Sequence, residues 1–229
     1  MRIFLDLEGV RTPLHVRQHP RARRASLRLS ADGNYVIVVL PPRTRSEEGL
    51  AIARAHASWI RAKLDDRPPR VPFADGAVLP VNGQALTVCL VPGGQRGVRT
   101  AGDRLLASGP ADAVADQIRT WLRTEARRVI LLRIAEKAAR LVRQPTRVSL
   151  RDTRSRWGSC SLKGALSFSW RLILAPAPVL DYVVAHELAH LAHHGHGPAF
   201  WTAVGDLCDE ISAGRTWLRQ HGRSLFRYG

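Results

Sequence analysis

The run Asp181-Tyr182-Val183-Val184-Ala185-His186-Glu187-Leu188-Ala189-His190 decides how the rest of the chain is read. Pro176 and Pro178 stand where a first helical turn tolerates proline, and Gly195 and Gly197-Pro198 stop the pattern. The spacing predicts a helix over Val179–His194. Positions four apart on a helix differ by about 40° around the axis and one turn along it. His186 and His190 are therefore aimed at one point and can take neighbouring corners around a tetrahedral ion. Glu187 sits beside the first histidine, where a carboxylate can take a proton from water activated by the ion and pass it to a leaving amine. With nine histidines in the chain, composition alone produces this pattern in about one chain in a hundred. Its place on an expected amphipathic helix makes chance the weaker explanation.

A catalytic zinc takes three protein ligands and keeps a further position open. His196 lies six residues past His190, beyond Gly195, where the chain can turn back. Glu210 is the rival, twenty residues past His190 at the end of a helix expected over about Ala199–Ile211. His196 needs the shorter excursion and is preferred. His193 and His194 read as surface or supporting residues, although His193, seven residues after His186, shares a helix face with the ligands in the expected helix. The metzincin pattern does not hold. His193 stands where its glycine would be, and the only methionine is Met1, so there is no Met-turn. Histidine donors favour zinc, while manganese, nickel or cobalt can occupy the same donors.

Further residues flank the helix. Ser155-Arg156-Trp157-Gly158-Ser159-Cys160, Trp170-Arg171-Leu172-Ile173, the 181–191 run, His196 and Phe200-Trp201 together resemble the YgjP-like metallopeptidases, a family related to the SprT-like zinc proteases. The close match runs from about Val148 to Trp217, and the rest fits the family layout more loosely. The resemblance implies an HExxH zinc site with its third histidine at His196. SprT-like relatives act on DNA-associated proteins. Ser169 departs from the pattern, which has asparagine before the tryptophan.

Arg156, Trp157, Trp170 and Arg171 are the candidate substrate-binding residues. Leu166–Trp170 reads as a strand that could line the cleft and pair with an extended peptide, and the plainer role of either tryptophan is core packing. Arg151, Arg154, Arg156 and Arg171 crowd the same region, where guanidinium forks suit carboxylates and phosphates. Pairing with Asp152 and Asp181 is their structural alternative. Tyr182 and His194 are oxyanion candidates, with packing the simpler role for Tyr182.

Outward from this region the chain reads as α+β. A β-hairpin is expected where Ser26–Leu29 and Tyr35–Leu40 flank Ala31-Asp32-Gly33-Asn34, followed by one helix from Ser46 to about Asp65 and a break at Pro68-Pro69. Strands at Ala77–Val81 and Ala85–Val91 surround Asn82-Gly83, a hairpin signal, and Arg104–Ala107 reads as another. A long helix is expected over Ala111–Val142, connecting an N-terminal β-rich portion (1–110) to a zincin-like catalytic portion (111–229). Strands at Arg147–Leu150 and Ala165–Trp170 precede the metal helix. No internal repeat is evident.

Composition bounds the partners. The hydrophobic fraction of 45% suits a packed core, and no apolar run reaches the ~18 residues of a membrane span. The N-terminus, interrupted by Asp6 and Glu8, is not a signal peptide. Cys89, Cys160 and Cys208 form neither a disulfide framework nor a cysteine zinc site. A cytoplasmic protein with no membrane partner is expected. The net charge of +16 favours polyanions, nucleic acid among them, although 32 of the 35 basic residues are arginine, a bias that genome composition also produces. The expected function is zinc-dependent hydrolysis of peptide bonds in a protein or peptide substrate, with Glu187 as general base. The rivals are a metal-dependent nucleotide phosphohydrolase and a nucleic-acid-binding module with a structural metal.

Overall fold

The computed structural model describes residues 2–7, 9–30, 33–66, 69–93 and 96–229. The chain divides into two compact units, Met1–Pro69 and Arg70–Gly229. The division falls well before the boundary expected at 110. The strands that follow Arg70 pack against the long helix, so they belong with the catalytic elements rather than with the N-terminus.

In the first unit, β1 (Arg2–Leu7), β2 (Val10–Gln18), β3 (Ser26–Leu29) and β4 (Val36–Leu40) form one sheet in the order β1-β2-β4-β3. β4 runs parallel to β2 and antiparallel to β3, as the expected hairpin requires. Ala31 and Asp32 of its turn, and Pro68 of the expected break, lie outside the described residues. Alternation puts Leu14, Val16, Val36, Val38 and Leu40 on one face, all buried. Two helices cover that face, α1 (Ser46–Ala55) and α2 (Ala57–Asp65). A single helix was expected here. The break is one residue, His56, at φ −109° and ψ 24°, and Ala53 and Ile60 are fully buried on either side of it. Gly49 makes the close approach possible, since a Cβ there would stand 2.8 Å from Val16 Cγ1.

The second unit opens with the same topology. β5 (Val78–Val81), β6 (Gln84–Val91), β7 (Gly97–Ala101) and β8 (Arg104–Ser108) are ordered β5-β6-β8-β7, again with the parallel pair at the centre. Asn82 and Gly83 both have positive φ (50° and 85°), the geometry of a tight hairpin loop. A helix then follows, α3 (Ala111–Lys137). The ββββα plan is thus used twice, a repetition the sequence reading missed. Its trace is Trp59-Ile60-Arg61 against Trp121-Leu122-Arg123, with Ile60 and Leu122 both fully buried. Topology and burial recur while the other side chains do not, so no period stands out.

α3 carries Val114, Ile118, Leu122, Ala126, Val129, Ile130 and Ile134 on its buried stripe. It packs on β7 and β8 and also touches the 3-10 turn Trp170–Leu174. It ends at Lys137, short of the expected Val142, in a further 3-10 turn at Ala138–Arg140. A small sheet follows, β9 (Arg147–Arg151), β10 (Gly158–Cys160) and β11 (Ala165–Ser169), in the order β10-β11-β9. The C-terminal helices are α4 (Ala177–Ala189), α5 (Pro198–Leu207) and α6 (Ile211–His221). Each unit has its own hydrophobic core. Among the described residues no helix is long and apolar enough to cross a membrane.

Candidate metal centre

α4 is apolar on nearly every side, not amphipathic as expected. Val179, Leu180, Val183, Val184, Ala185 and Leu188 are buried, which is how a helix in the middle of a core reads. Its depth is set by a charge pair and a close packing. Lys137 Nζ, at the end of α3, lies 2.8 Å from Asp181 Oδ1 and donates to Oδ2 at 3.0 Å. Arg133 Nε is 3.8 Å from the same carboxylate. On the other side, Gly214 of α6 presses against Tyr182, where a Cβ would come within 2.7 Å of the ring.

The helix ends at Ala189 with His190 as its cap, five residues short of the expected end, and the next residues turn. His190 Nδ1 lies 2.9 Å from the His193 carbonyl oxygen. An imidazole that donates from Nδ1 keeps the Nε2 lone pair for a metal. His193 therefore contributes its backbone, not its ring. The return of the chain to His196 uses no left-handed residue at Gly195.

The turn brings His196 beside the helix. Its Nε2 lies 3.2 Å from His186 Nε2, and one donor atom from each of His186, His190 and His196 falls within 4.8 Å of the others. An ion with bonds of about 2.0 Å to nitrogen in a tetrahedron needs its donors roughly 3.3 Å apart, so the closest pair fits. Phe200 is buried beneath all three rings, with centroid distances of 4.5 Å to His190, 4.7 Å to His196 and 4.9 Å to His186. Burial, then the neighbouring His190, His196 and Arg215, lower the His186 pKa to about 4. Burial lowers that of His190 too, against the raising effect of its bond to His193. These imidazoles stay neutral near pH 7, the form that binds metal. The donor set suits a divalent cation. Glu210 is not in the group. It is exposed, at the N-terminus of α6.

Glu187 is buried beside His186, and the two line one cavity. Burial raises its carboxyl to about 7, with Arg156 pulling the other way. It lies against Gly158 of β10, where a Cβ would come within 2.6 Å of the carboxyl carbon. Only glycine leaves room there. Trp157, Gly158, Tyr182, Val183, His186, Glu187 and Leu218 line a cavity of about 190 Å³. Tyr182 is buried and its hydroxyl is 3.5 Å from His186 Nδ1, so it buttresses the ring. His194 is exposed on the turn.

Two candidate substrate residues belong to the core instead. Trp170 is fully buried. Arg171 is also buried. It bonds Asp152 at 2.9 Å and the carbonyls of Leu225 and Tyr228 at 3.2 and 2.8 Å, and lies over the Trp170 ring. An arginine so occupied ties the C-terminus to the sheet and has no fork left for a ligand. The strand expected to line the cleft is β11, but it is central, flanked by β9 and β10. The edge is β10, too short and too glycine- and serine-rich to show as a strand by pattern. Trp157 lines the cavity and stacks on Phe226 at 5.4 Å. Arg156 is exposed and close enough to act on Glu187. Sequence reasoning missed Gly158 and Arg215. A glycine's close contact and a charge arriving from another helix leave no local pattern.

No curated protein and no solved structure matches the chain. A family model does, the YgjP-like metallopeptidase domain, over residues 23–221. With the histidine group and the buried glutamate inside that span, the chain belongs to the YgjP-like metallopeptidase family.

Proposed function

We propose that this protein hydrolyses peptide bonds, with His186, His190 and His196 holding one divalent ion and Glu187 acting as general base. The observation that carries this reading is the convergence of three imidazole nitrogens beside a buried carboxyl group. Zinc suits the all-histidine donor set, and the cytoplasm is the setting we infer. When bound, the ion supplies a Lewis acid that acidifies water and polarises the scissile carbonyl. Glu187 accepts the proton from the attacking water at a carboxylate oxygen and returns it to the leaving nitrogen. His193 O and Tyr182 hold the first two imidazoles in orientation. The outer edge of β10 pairs with no strand among the described residues, which leaves it open to an extended peptide. The cavity of about 190 Å³ beside Glu187 is smaller than the ~300 Å³ at which small-molecule sites begin and suits one substrate side chain.

A second reading, hydrolysis of a nucleotide phosphoanhydride, is favoured by one feature. Tyr182, Ser212, Arg215, Thr216, Leu218 and Arg219 line a hollow of about 510 Å³, with two guanidinium groups for phosphates.

The test uses zinc-loaded protein, an unfolded protein substrate and a nucleoside triphosphate. Wild type cleaves the protein, and Glu187→Gln cuts the rate by roughly 10²- to 10⁴-fold with metal content unchanged. His196→Ala lowers metal content and Glu210→Ala does not. Phosphate release with no protein cleavage would replace the first reading by the second.

A further inference from the structure

The two sheets share one topology, so each serves as a control for the other. The inner face of each is apolar and covered by its own helix. The outer faces differ. That of the second sheet carries Arg99 and Arg104 but no aromatic residue. That of the first carries Phe4, His15 and Tyr35 among arginines. Nothing in the shared architecture demands these rings, so their presence calls for another cause.

Their arrangement follows from the register. Phe4 of β1 faces Pro13 of β2. Tyr35 directly precedes Val36, which faces Leu14, so it falls on the same cross-strand row as Pro13. Phe4 and Tyr35 are thus two strand spacings apart, about 10 Å. Phe4 is 49% exposed, and the Arg11 guanidinium lies 4.7 Å above its ring. Tyr35 stacks on His15 with centroids 4.2 Å apart. Arg11 closes one end of this row. Arg28 and Arg17 extend beyond the other end, opposite Ile37 and Val39. The connection from β2 to β3 adds Arg21, Arg23 and Arg24, all exposed. Among the described residues none of Arg17, Arg21, Arg23, Arg24 and Arg28 is in an ion pair. Among the described residues Asp6 is the acid on this face, and it accepts from Gly9 N.

We propose that the outer face of the first sheet binds single-stranded nucleic acid, its bases stacking on Phe4 and the His15–Tyr35 pair and its phosphates held by the flanking arginines. Flat rings on a sheet surface alternating with guanidinium groups match a strand in which bases alternate with phosphates. An acidic peptide would use the arginines and leave the rings idle. A duplex hides its bases from a flat surface. Stacking and phosphate contacts are common to both kinds of strand, so DNA and RNA are bound alike. The proposal is independent of what the metal centre hydrolyses.

Fluorescence anisotropy of the full-length protein with a labelled strand of about 15 thymidines tests it, beside a uridine strand, a duplex of equal length and anionic phosphatidylserine vesicles. The single strands bind within a few-fold of each other and at least roughly 10-fold tighter than the duplex. Phe4→Ala weakens the single strand by roughly 5- to 100-fold, the worth of one stacked base. Phe4→Leu, which keeps the apolar bulk and guards against misfolding, loses about as much. Arg17→Ala and Arg28→Ala each lower the slope of log affinity against log salt by about 0.7. Equal affinity for duplex and single strand with wild-type binding by both Phe4 variants would overturn the proposal. Vesicle binding without single-strand binding would overturn it as well.

Discussion

Glu187 carries a cost in stability that the proposed general-base role requires. Its carboxyl is raised to about 7 by burial, whereas the unfolded chain has it near 4.5. Between those values the folded state holds a proton that the unfolded state has released, so stability falls as pH rises through this window. His186, lowered to about 4, acts in the opposite sense: its contribution is present near neutrality and is lost as pH falls from about 6.5 towards 4. Glu187→Gln removes the first effect alone. In the metal-free protein the variant should be more stable than wild type at pH 8, and the advantage should shrink by about 2 kcal/mol by pH 5. Urea denaturation at the two pH values checks this, and a pH-independent difference would contradict the burial argument. Gly158 works at the same scale. Gly158→Ala places a methyl group against the Glu187 carboxyl, so peptidase activity should fall at least about 10-fold while metal content stays at the wild-type level. The new methyl group meets Glu187 rather than a histidine, and metal analysis beside the activity assay separates the two effects.

The metal helix is held as an element by its neighbours. Residues 177–189 are apolar enough to be buried, but burial alone does not set rotation or depth. Lys137 against Asp181 does, linking the end of α3 to the start of the motif. Their side chains are 10% and 21% exposed, so removing one partner strands a charge in a poorly solvated place. Asp181→Ala should cost about 2–4 kcal/mol. Lys137→Met should cost less, because Asp181 keeps Arg133 at 3.8 Å. The reverse order in chemical denaturation would mean that Arg133 is not a partner. The helix ends were legible only in part. α4 ends at Ala189 because the turn to His196 begins there, and α1 and α2 part at His56 while both stay on the sheet. Neither stop has a proline or a glycine at the break to announce it.

At the scale of the molecule, the first core runs from Leu5 to Ile60 and the second from Phe73 to Leu225. Every residue of the candidate metal centre lies in the second unit, Arg70–Gly229. A fragment of residues 70–229 should therefore fold on its own and bind metal with the stoichiometry of the whole chain, read by circular dichroism and metal analysis. The nucleic-acid face should be lost with the first unit. A fragment that is unfolded would show that the second core depends on the first.

What the amino-acid sequence determined by itself was local. Proline before and glycine after marked the metal helix, and residues four apart put His186 and His190 on one side of it. Asn82-Gly83 marked a hairpin because only a few residues tolerate left-handed backbone at both positions. The α+β class and the family motifs were legible for the same reason, since they are short patterns. Tertiary structure decided everything that depends on residues distant in the chain. His196, preferred over Glu210 for its shorter excursion, stands beside the helical pair, but by a turn that makes no use of left-handed backbone at Gly195. Arg171 is a tie to carbonyls 54 and 57 residues downstream, so its guanidinium never reaches a ligand. β11 became the centre of its sheet by pairing in parallel with β9 and antiparallel with β10. Such pairings are set by competition among long-range contacts, and a side chain's role follows from which of them it joins.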